Sequence, residues 1–195
     1  MRESAILDIM KSEMNELWVL CRLLGNPVRL RMVCMAARSK EGINVSETAK
    51  ALSLGESAVS IYLKQLANAG ILLRSRTGIR VDYFAVPADG TAFAVPSRVL
   101  SVIRANCSTP RDIREMSGLF SALGNDTRIS AVISLQFGRC DDETLAQRVM
   151  KPAKTLIRQM SQLLELKIVE LDENGLYNLR PAHDPLHAAV LSLLS

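Results

Sequence analysis

A short phrase occurs twice in the chain, Leu24-Gly25-Asn26-Pro27-Val28-Arg29 and Leu123-Gly124-Asn125-Asp126-Thr127-Arg128. In each copy an apolar run ends at a glycine, an Asn able to cap a new helix follows, and an Arg stands three residues beyond that Asn. Glycine tolerates the left-handed conformation that closes a helix, so the run Leu17 to Leu24 is expected to stop at Gly25. Asn26 can accept hydrogen bonds from the free amides of the next turn, and Pro27 at the first helical position loses no needed donor. The expected product is a helix, a corner and a second helix, stated twice.

A period of about half the length makes two domains the expectation for 195 residues, with boundaries at 1–109 and 110–195. Apolar residues make up 48% and aromatics only 4%, which favours helical packing by Leu, Ile, Val, Ala and Met over a β-sandwich. No apolar run approaches the roughly 20 residues that span a bilayer. Met1-Arg2-Glu3-Ser4 carries both signs of charge and no signal-like cleavage site, so a cytoplasmic protein is expected. Cys21, Cys34, Cys107 and Cys140 lack C-x-x-C spacing, which argues against a zinc knuckle or a secreted disulfide scaffold. The net charge of +4 falls on one half: residues 1–99 hold 13 Lys and Arg against 9 Asp and Glu, while residues 100–195 hold 11 of each. Such an excess suggests that the first half meets a polyanion.

Along the first half, Ile6, Leu7, Ile9, Met10, Met14, Leu17, Trp18, Cys21 and Leu24 recur every three or four residues, the pattern of an amphipathic helix wet at Arg2, Lys11, Glu13 and Glu16. A second helix is expected from Pro27 to about Ala37. Asn44-Val45-Ser46-Glu47 reads as a capping box that starts a short helix to Leu52. A turn at Leu54-Gly55 leads into a helix from Glu56 to Asn68 with Val59, Leu63 and Leu66 on one face, ended by Gly70. Residues 71–76 and 79–86 flank Thr77-Gly78 as a hairpin. Three helices, a turn, a helix and a hairpin are the order of a winged helix-turn-helix. A helix from Val95 to Cys107 closes the unit.

The pieces Leu24 to Leu30, Val45 to Ala49, Ser57 to Leu66 and Ala69 to Leu72 keep their order and spacing over about residues 17–86. They resemble the ArsR family of winged-helix repressors. The resemblance implies a dimeric bacterial or archaeal transcriptional regulator that leaves double-stranded DNA when an inducer binds. It also implies that the helix after the wing packs with the first helix to form the dimer interface.

The second half repeats the plan. Met116 to Leu123 stands for the end of the first helix, Thr127 to Phe137 for the second, and Asp141 caps a helix containing Thr144-Leu145-Ala146. Ala153 to Leu166 matches the recognition helix, with Met160, Gln162, Leu163 and Ile168 in the places of Leu63, Gln65, Leu66 and Ile71. Glu173-Asn174-Gly175 turns a second hairpin closed by Leu176 to Leu179, and Val190 to Leu194 echoes Val99 to Ile103. The fold expected is mainly α with small β-hairpin wings, as two tandem winged helix-turn-helix domains.

In a helix-turn-helix the second helix enters the major groove and its N-terminal part meets base edges. In the first unit those positions are Glu56, Ser57, Ser60, Ile61 and Lys64, with Tyr62 at the rim. The family usually has a basic or amide-bearing residue where Ile61 stands, and Glu56 faces phosphate repulsion unless it reads a cytosine amino group. The wing carries Arg74, Arg76 and Arg80, suited to phosphate or minor-groove contact; a solvated basic hairpin is the plainer alternative. The second unit inverts this pattern, with Lys151, Lys154, Thr155 and Arg158 at the recognition helix and Glu170, Asp172 and Glu173 in the wing. Either both helices read DNA while one wing grips, or the second unit is a dimerisation and effector module. The tandem arrangement suggests a pseudo-dimer with unlike half-sites one turn apart; a homodimer of four winged helices is the alternative.

Family metal sites use Cys near the helix before the recognition helix, and residues 45–52 contain none. His183, Asp184 and His187 are interrupted by Pro185, so neither a metal nor any other cofactor is expected. Cys34 and Cys107 stand in places that resemble the two cysteines of the thiol-responsive branch of the family, which join on oxidation. The alternative is that Cys34 is a buried small hydrophobe and Cys107 a surface residue. The second unit has Ile133 at the place of Cys34. No phosphate loop or nucleophile elbow occurs, and Asp141-Asp142 sits where caps are expected, so no enzyme is read here.

Overall fold

The computed structural model describes residues 2–87, 94–182 and 184–194, with side chains from residue 13 onward. The apolar positions 6–10 of the first helix, the charges at 2 and 11, and His183 lie outside the side chains described.

Helix α1 (Arg2–Leu24) stops where Gly25 donates its N–H to Cys21 O at 2.8 Å. Asn26 then caps α2 (Pro27–Arg38), its side chain accepting from the amides of Val28 and Arg29. Strand β1 (Ile43–Asn44) leads into α3 (Val45–Leu52), capped by Asn44 through the Glu47 amide at 2.9 Å. The turn to α4 (Glu56–Asn68) passes through Ser53 in the left-handed conformation. Strands β2 (Leu72–Thr77) and β3 (Arg80–Ala85) form the hairpin, and β1 joins β3 to give the order β1-β3-β2. The hairpin turns at Gly78-Ile79, one residue later than the Thr77-Gly78 expected, with Thr77 opposite Arg80. Gly78 has φ +63, and the first central position of a two-residue hairpin turn is where glycine is favoured. Helix α5 (Ala94–Asn106) follows.

The second half runs α6 (Pro110–Leu123), α7 (Asp126–Leu135), α8 (Asp142–Arg148), α9 (Ala153–Glu165), β4 (Val169–Leu171), β5 (Tyr177–Leu179) and α10 (Pro185–Leu191), with a 3₁₀ turn at Ser192–Leu194. Local chemistry tracks the first half. Asn125 caps α7 through the amides of Thr127 and Arg128, and Asp141 caps α8 through Thr144. Met150 enters the α8–α9 turn with φ 52, as Ser53 does with φ 54 before α4. Cys140 bridges Tyr177 as Ile43 bridges Tyr83, adding a third edge to the small sheet. The inward positions of the two fourth helices, Val59, Leu63 and Leu66 in α4 and Leu156, Met160 and Leu163 in α9, are all fully buried.

One hydrophobic core runs through both halves. Helix α1 lies against α6, α2 touches α6 as α7 touches α1, and α5 packs on α1 as α10 packs on α6. The two last helices also meet each other, and Arg98 on α5 donates to Leu193 O at 2.8 Å. Helices α1 and α5 are thus met within the chain by α6 and α10.

The crossing of α1 and α6 explains the glycines of the repeated phrase. A Cβ on Gly25 would stand 2.8 Å from Ser121 Cα, and one on Gly124 would stand 2.7 Å from Arg22 Cα. Ordinary carbon contacts lie near 3.5–4 Å, so only glycine permits this approach. Gly124 has φ −75, and Gly25 is not left-handed either. The expectation that these residues close their helices in the left-handed conformation is therefore corrected: they are glycines because another helix backbone passes over them.

Candidate nucleic-acid interface

The exposed side of α4 follows from helical spacing. With Val59, Leu63 and Leu66 buried, Ser57, Ile61, Lys64, Gln65 and Asn68 form the opposite stripe and are all exposed. Glu56 stands exposed at the first position of α4, while Ser60 and Tyr62 are half-buried at the stripe's flanks. Ile61 is 54% exposed, a large apolar side chain in the middle of a polar stripe.

Arg74 and Arg76 alternate with Ser75 on β2 and so share one face of the hairpin, opposite Tyr83 and Val81. Arg80 stands opposite Thr77, on the other face, with Asp82 two residues along the same strand. Its guanidinium donates to both carboxylate oxygens of Asp82 at 2.9 and 3.0 Å. The three wing arginines are therefore not equivalent: Arg80 already has a carboxylate, while among the described residues Arg76 donates to Gly78 O in the turn alone.

In the second half, Lys154 and Arg158 project from α9 into solvent and Thr155 is half-buried. Lys151 lies in the turn before α9 rather than on the helix, and its ammonium is 2.9 Å from the Asp126 carboxylate. That ion pair holds the Asp126 carboxyl below its usual range. Ile157 is 46% exposed beside Arg158, as Ile61 is on α4. Glu170, Asp172 and Glu173 occupy the short hairpin, where Asp172 accepts from the amides of Asn174 and Leu176 and pairs with Arg139 at 3.2 Å.

Each fourth helix is anchored by an arginine whose role the sequence did not disclose. Arg29 Nε donates to Leu23 O at 2.6 Å, Nη2 to Arg22 O at 3.3 Å, and Nη1 to Gln65 Oε1 at 3.4 Å; its guanidinium also lies 5.8 Å from the Tyr62 ring centre. Arg128 does the same with Ala122 O, Ser121 O at 2.8 Å and Gln159 Oε1 at 2.6 Å. Each arginine thus ties the C-terminal carbonyls of one helix to the fourth helix of the same half. Gln159 stands at the place of Tyr62, not of Gln65, so the amide partner has moved one turn along the helix. The only sequence signal was the constant three-residue interval between Asn and Arg.

Cys34 and Cys107 face each other at 2.8 Å between sulfurs, and both are buried. Cys107 is therefore not a surface residue. A hydrogen bond from the Cys34 thiol and the nearby positive charge of Arg38 favour the Cys107 thiolate, lowering its pKa; the same contact, with burial, pushes Cys34 up. Arg38 also donates to the Cys107 carbonyl, holding the end of α5 on α2. Cys21 and Cys140 are buried elsewhere in the core, and burial pushes the Cys21 thiol up to about 12. Among the described residues no group of three or more His, Cys, Asp and Glu is arranged to hold a metal. Asp184 caps α10 through the His187 amide. No helix among them is long and apolar enough to cross a membrane.

No curated protein matches the chain. Residues 26–72, from the cap of α2 to the start of the hairpin, match the family model described as bacterial regulatory protein, arsR family, which supports a DNA-binding helix-turn-helix of transcription regulation at the level of that family.

Proposed function

We propose that the chain is an ArsR-like transcriptional repressor in which two winged helix-turn-helix units, residues 1–109 and 110–195, act as a pseudo-dimer on double-stranded DNA. The observation that carries this reading is the exposed stripe of α4 beside Arg74 and Arg76, inside the half that holds the excess positive charge. Lys154 and Arg158 give α9 an equivalent but chemically different surface, so the two half-sites differ in sequence and lie about 34 Å apart. Support for the pseudo-dimer is the reciprocity of the α1–α6 crossing, where Gly25 meets Ser121 and Gly124 meets Arg22. A reciprocal contact of this kind is the signature of a two-fold interface. The test is an anisotropy titration of the full chain on duplex DNA from upstream of its own reading frame, over a salt series. A regulator binds with a preferred sequence and an affinity falling steeply with salt. Absence of binding at low salt refutes the reading.

The repressor is released by an inducer or by thiol oxidation, and the facing sulfurs favour the second. A peroxide oxidises the Cys107 thiolate to a sulfenic acid; the Cys34 thiol then displaces water to form the disulfide, joining α2 to α5. Peptide mass analysis under non-reducing conditions after mild peroxide treatment detects the Cys34–Cys107 link, and its absence after complete oxidant consumption removes this switch.

A rival reading, tandem winged helices that assemble with other proteins after losing DNA, is favoured by the exposed Ile61 and Ile157 in the middle of both recognition helices. The same salt series separates the two.

A further inference from the structure

A cleft of about 280 Å³ opens between the two halves, lined by Pro27, Val28 and Arg31 of α2, Leu52 and Leu54 beside the α3–α4 turn, and Pro110, Ile113 and Arg114 of α6. Its lining is mostly apolar, and the two cationic residues in it, Arg31 and Arg114, are exposed and have no hydrogen bond or ion pair to either guanidinium among the described residues. Like charges at one cleft repel unless an anion lies between them. The first turns of α2 and α6 both border the space, and the positive ends of helix dipoles favour the same sign of ligand. We propose that this cleft binds a small organic carboxylate, its apolar body on Val28, Leu52, Leu54 and Ile113 and its anionic group between Arg31 and Arg114.

The corresponding corner of the second half has a different chemistry. Asp126 stands there in the position of Pro27, Lys151 in that of Leu54, and Ser130 in that of Arg31. Lys151 and Asp126 form an ion pair there at 2.9 Å. The second half pairs its cation at this corner with Asp126, whereas Arg31 and Arg114 have no such partner among the described residues. The volume lies at the small end of ligand pockets, which limits the occupant to a short acyl or single-ring acid. Leu52 and Leu54 flank the left-handed Ser53 immediately before α4, so the occupant touches the turn that sets the angle of the recognition helix.

The test measures binding without DNA, and so stands apart from the regulatory reading. Hexanoate and 1-hexanol, equal in chain length and different in charge, are titrated into the full chain by ligand-observed NMR. The expected result is saturable one-site binding of hexanoate, at least tenfold tighter than hexanol. Arg31→Ala and Arg114→Ala each weaken hexanoate about tenfold, since each removes one charge-assisted contact from an exposed position. Ile113→Trp, checked for an unchanged far-UV spectrum, abolishes it by filling the hollow. Equal binding of the alcohol, arginine variants with wild-type affinity, or no saturation at about 10 mM hexanoate, beyond the millimolar affinity expected of a small ligand, each overturn the proposal.

Discussion

The α1–α6 crossing gives the sharpest quantitative expectation. Gly25→Ala places a methyl 2.8 Å from Ser121 Cα, and Gly124→Ala places one 2.7 Å from Arg22 Cα. Both obstacles are backbone atoms, which cannot rotate aside, and each contact is roughly 0.7 Å shorter than the optimum for carbon. The helices must separate, and overpacking of this kind costs about 1–3 kcal/mol. For a chain of this size that is a fall in Tm of about 5 °C. Separation forced by one methyl makes room for the other, so Gly25→Ala/Gly124→Ala loses less than the sum of the single losses, by at least about 0.5 kcal/mol. Gly118→Ala is the control: it lies within α6, nothing stands within 4 Å of its Cβ, and it gains up to about 1 kcal/mol from helix propensity. Urea unfolding followed by circular dichroism reads all four variants against wild type. Single variants within about 0.3 kcal/mol of wild type, or a double variant that is strictly additive, would refute the close reciprocal approach.

Three further outcomes follow from the interface and its supports. Arg128→Ala removes the guanidinium from the Ala122 carbonyl and the Gln159 amide oxygen and leaves the Ser121 carbonyl with the Gly124 amide alone, and costs about 2 kcal/mol in urea unfolding, whereas Gln159→Ala costs less because two of the three contacts survive. Arg74→Ala lowers the salt dependence of DNA binding by about one unit of slope, while Arg80→Ala lowers it less, because Asp82 already competes for that guanidinium; equal slopes would remove the distinction between the two wing faces. Asp112 is held below the usual carboxylate range by the amides of Thr109 and Ser108, and Asp141 by that of Thr144. A depressed folded pKa gives stability that is present above the unfolded value of about 3.9 and is lost as pH falls through the folded value. Tm is therefore level from neutrality to about pH 5 and drops below about pH 4, and Asp112→Ala shallows that drop; an unchanged acid limb counts against the role of this cap.

The elements that sequence revealed are those fixed by local chemistry. Asn26, Asn44 and Asp141 cap where their side chains say they should, and α4 has the predicted limits of Glu56 and Asn68 because buried Val59, Leu63 and Leu66 repeat at helical spacing. What was hidden depends on residues far apart in the chain. Nothing in the word Leu-Gly-Asn tells that Gly25 is crossed by Ser121, so the glycine was credited to a local conformation that it does not adopt. Lys151 counts as a free cation in sequence, yet Asp126, 25 positions earlier, takes its charge. The family resemblance paired Cys107 with Cys34, but the burial of Cys107 depends on how α5 docks on α2, which no local pattern encodes.

The pairing of α1 with α6 inside one polypeptide has a consequence for how such a protein responds to dilution and to mutation. In the proposed pseudo-dimer the partner is carried on the same chain and is always present, so the spacing of α4 and α9 would not depend on protein concentration. In a homodimer every substitution is made twice, once on each side of the axis, and a change that helps one side must be tolerated by the other. In the proposed pseudo-dimer each side changes alone. Under that reading, Lys151 and Asp126 can pair at one corner while Leu54 and Pro27 line a cleft at its counterpart, a difference that identical subunits cannot reach.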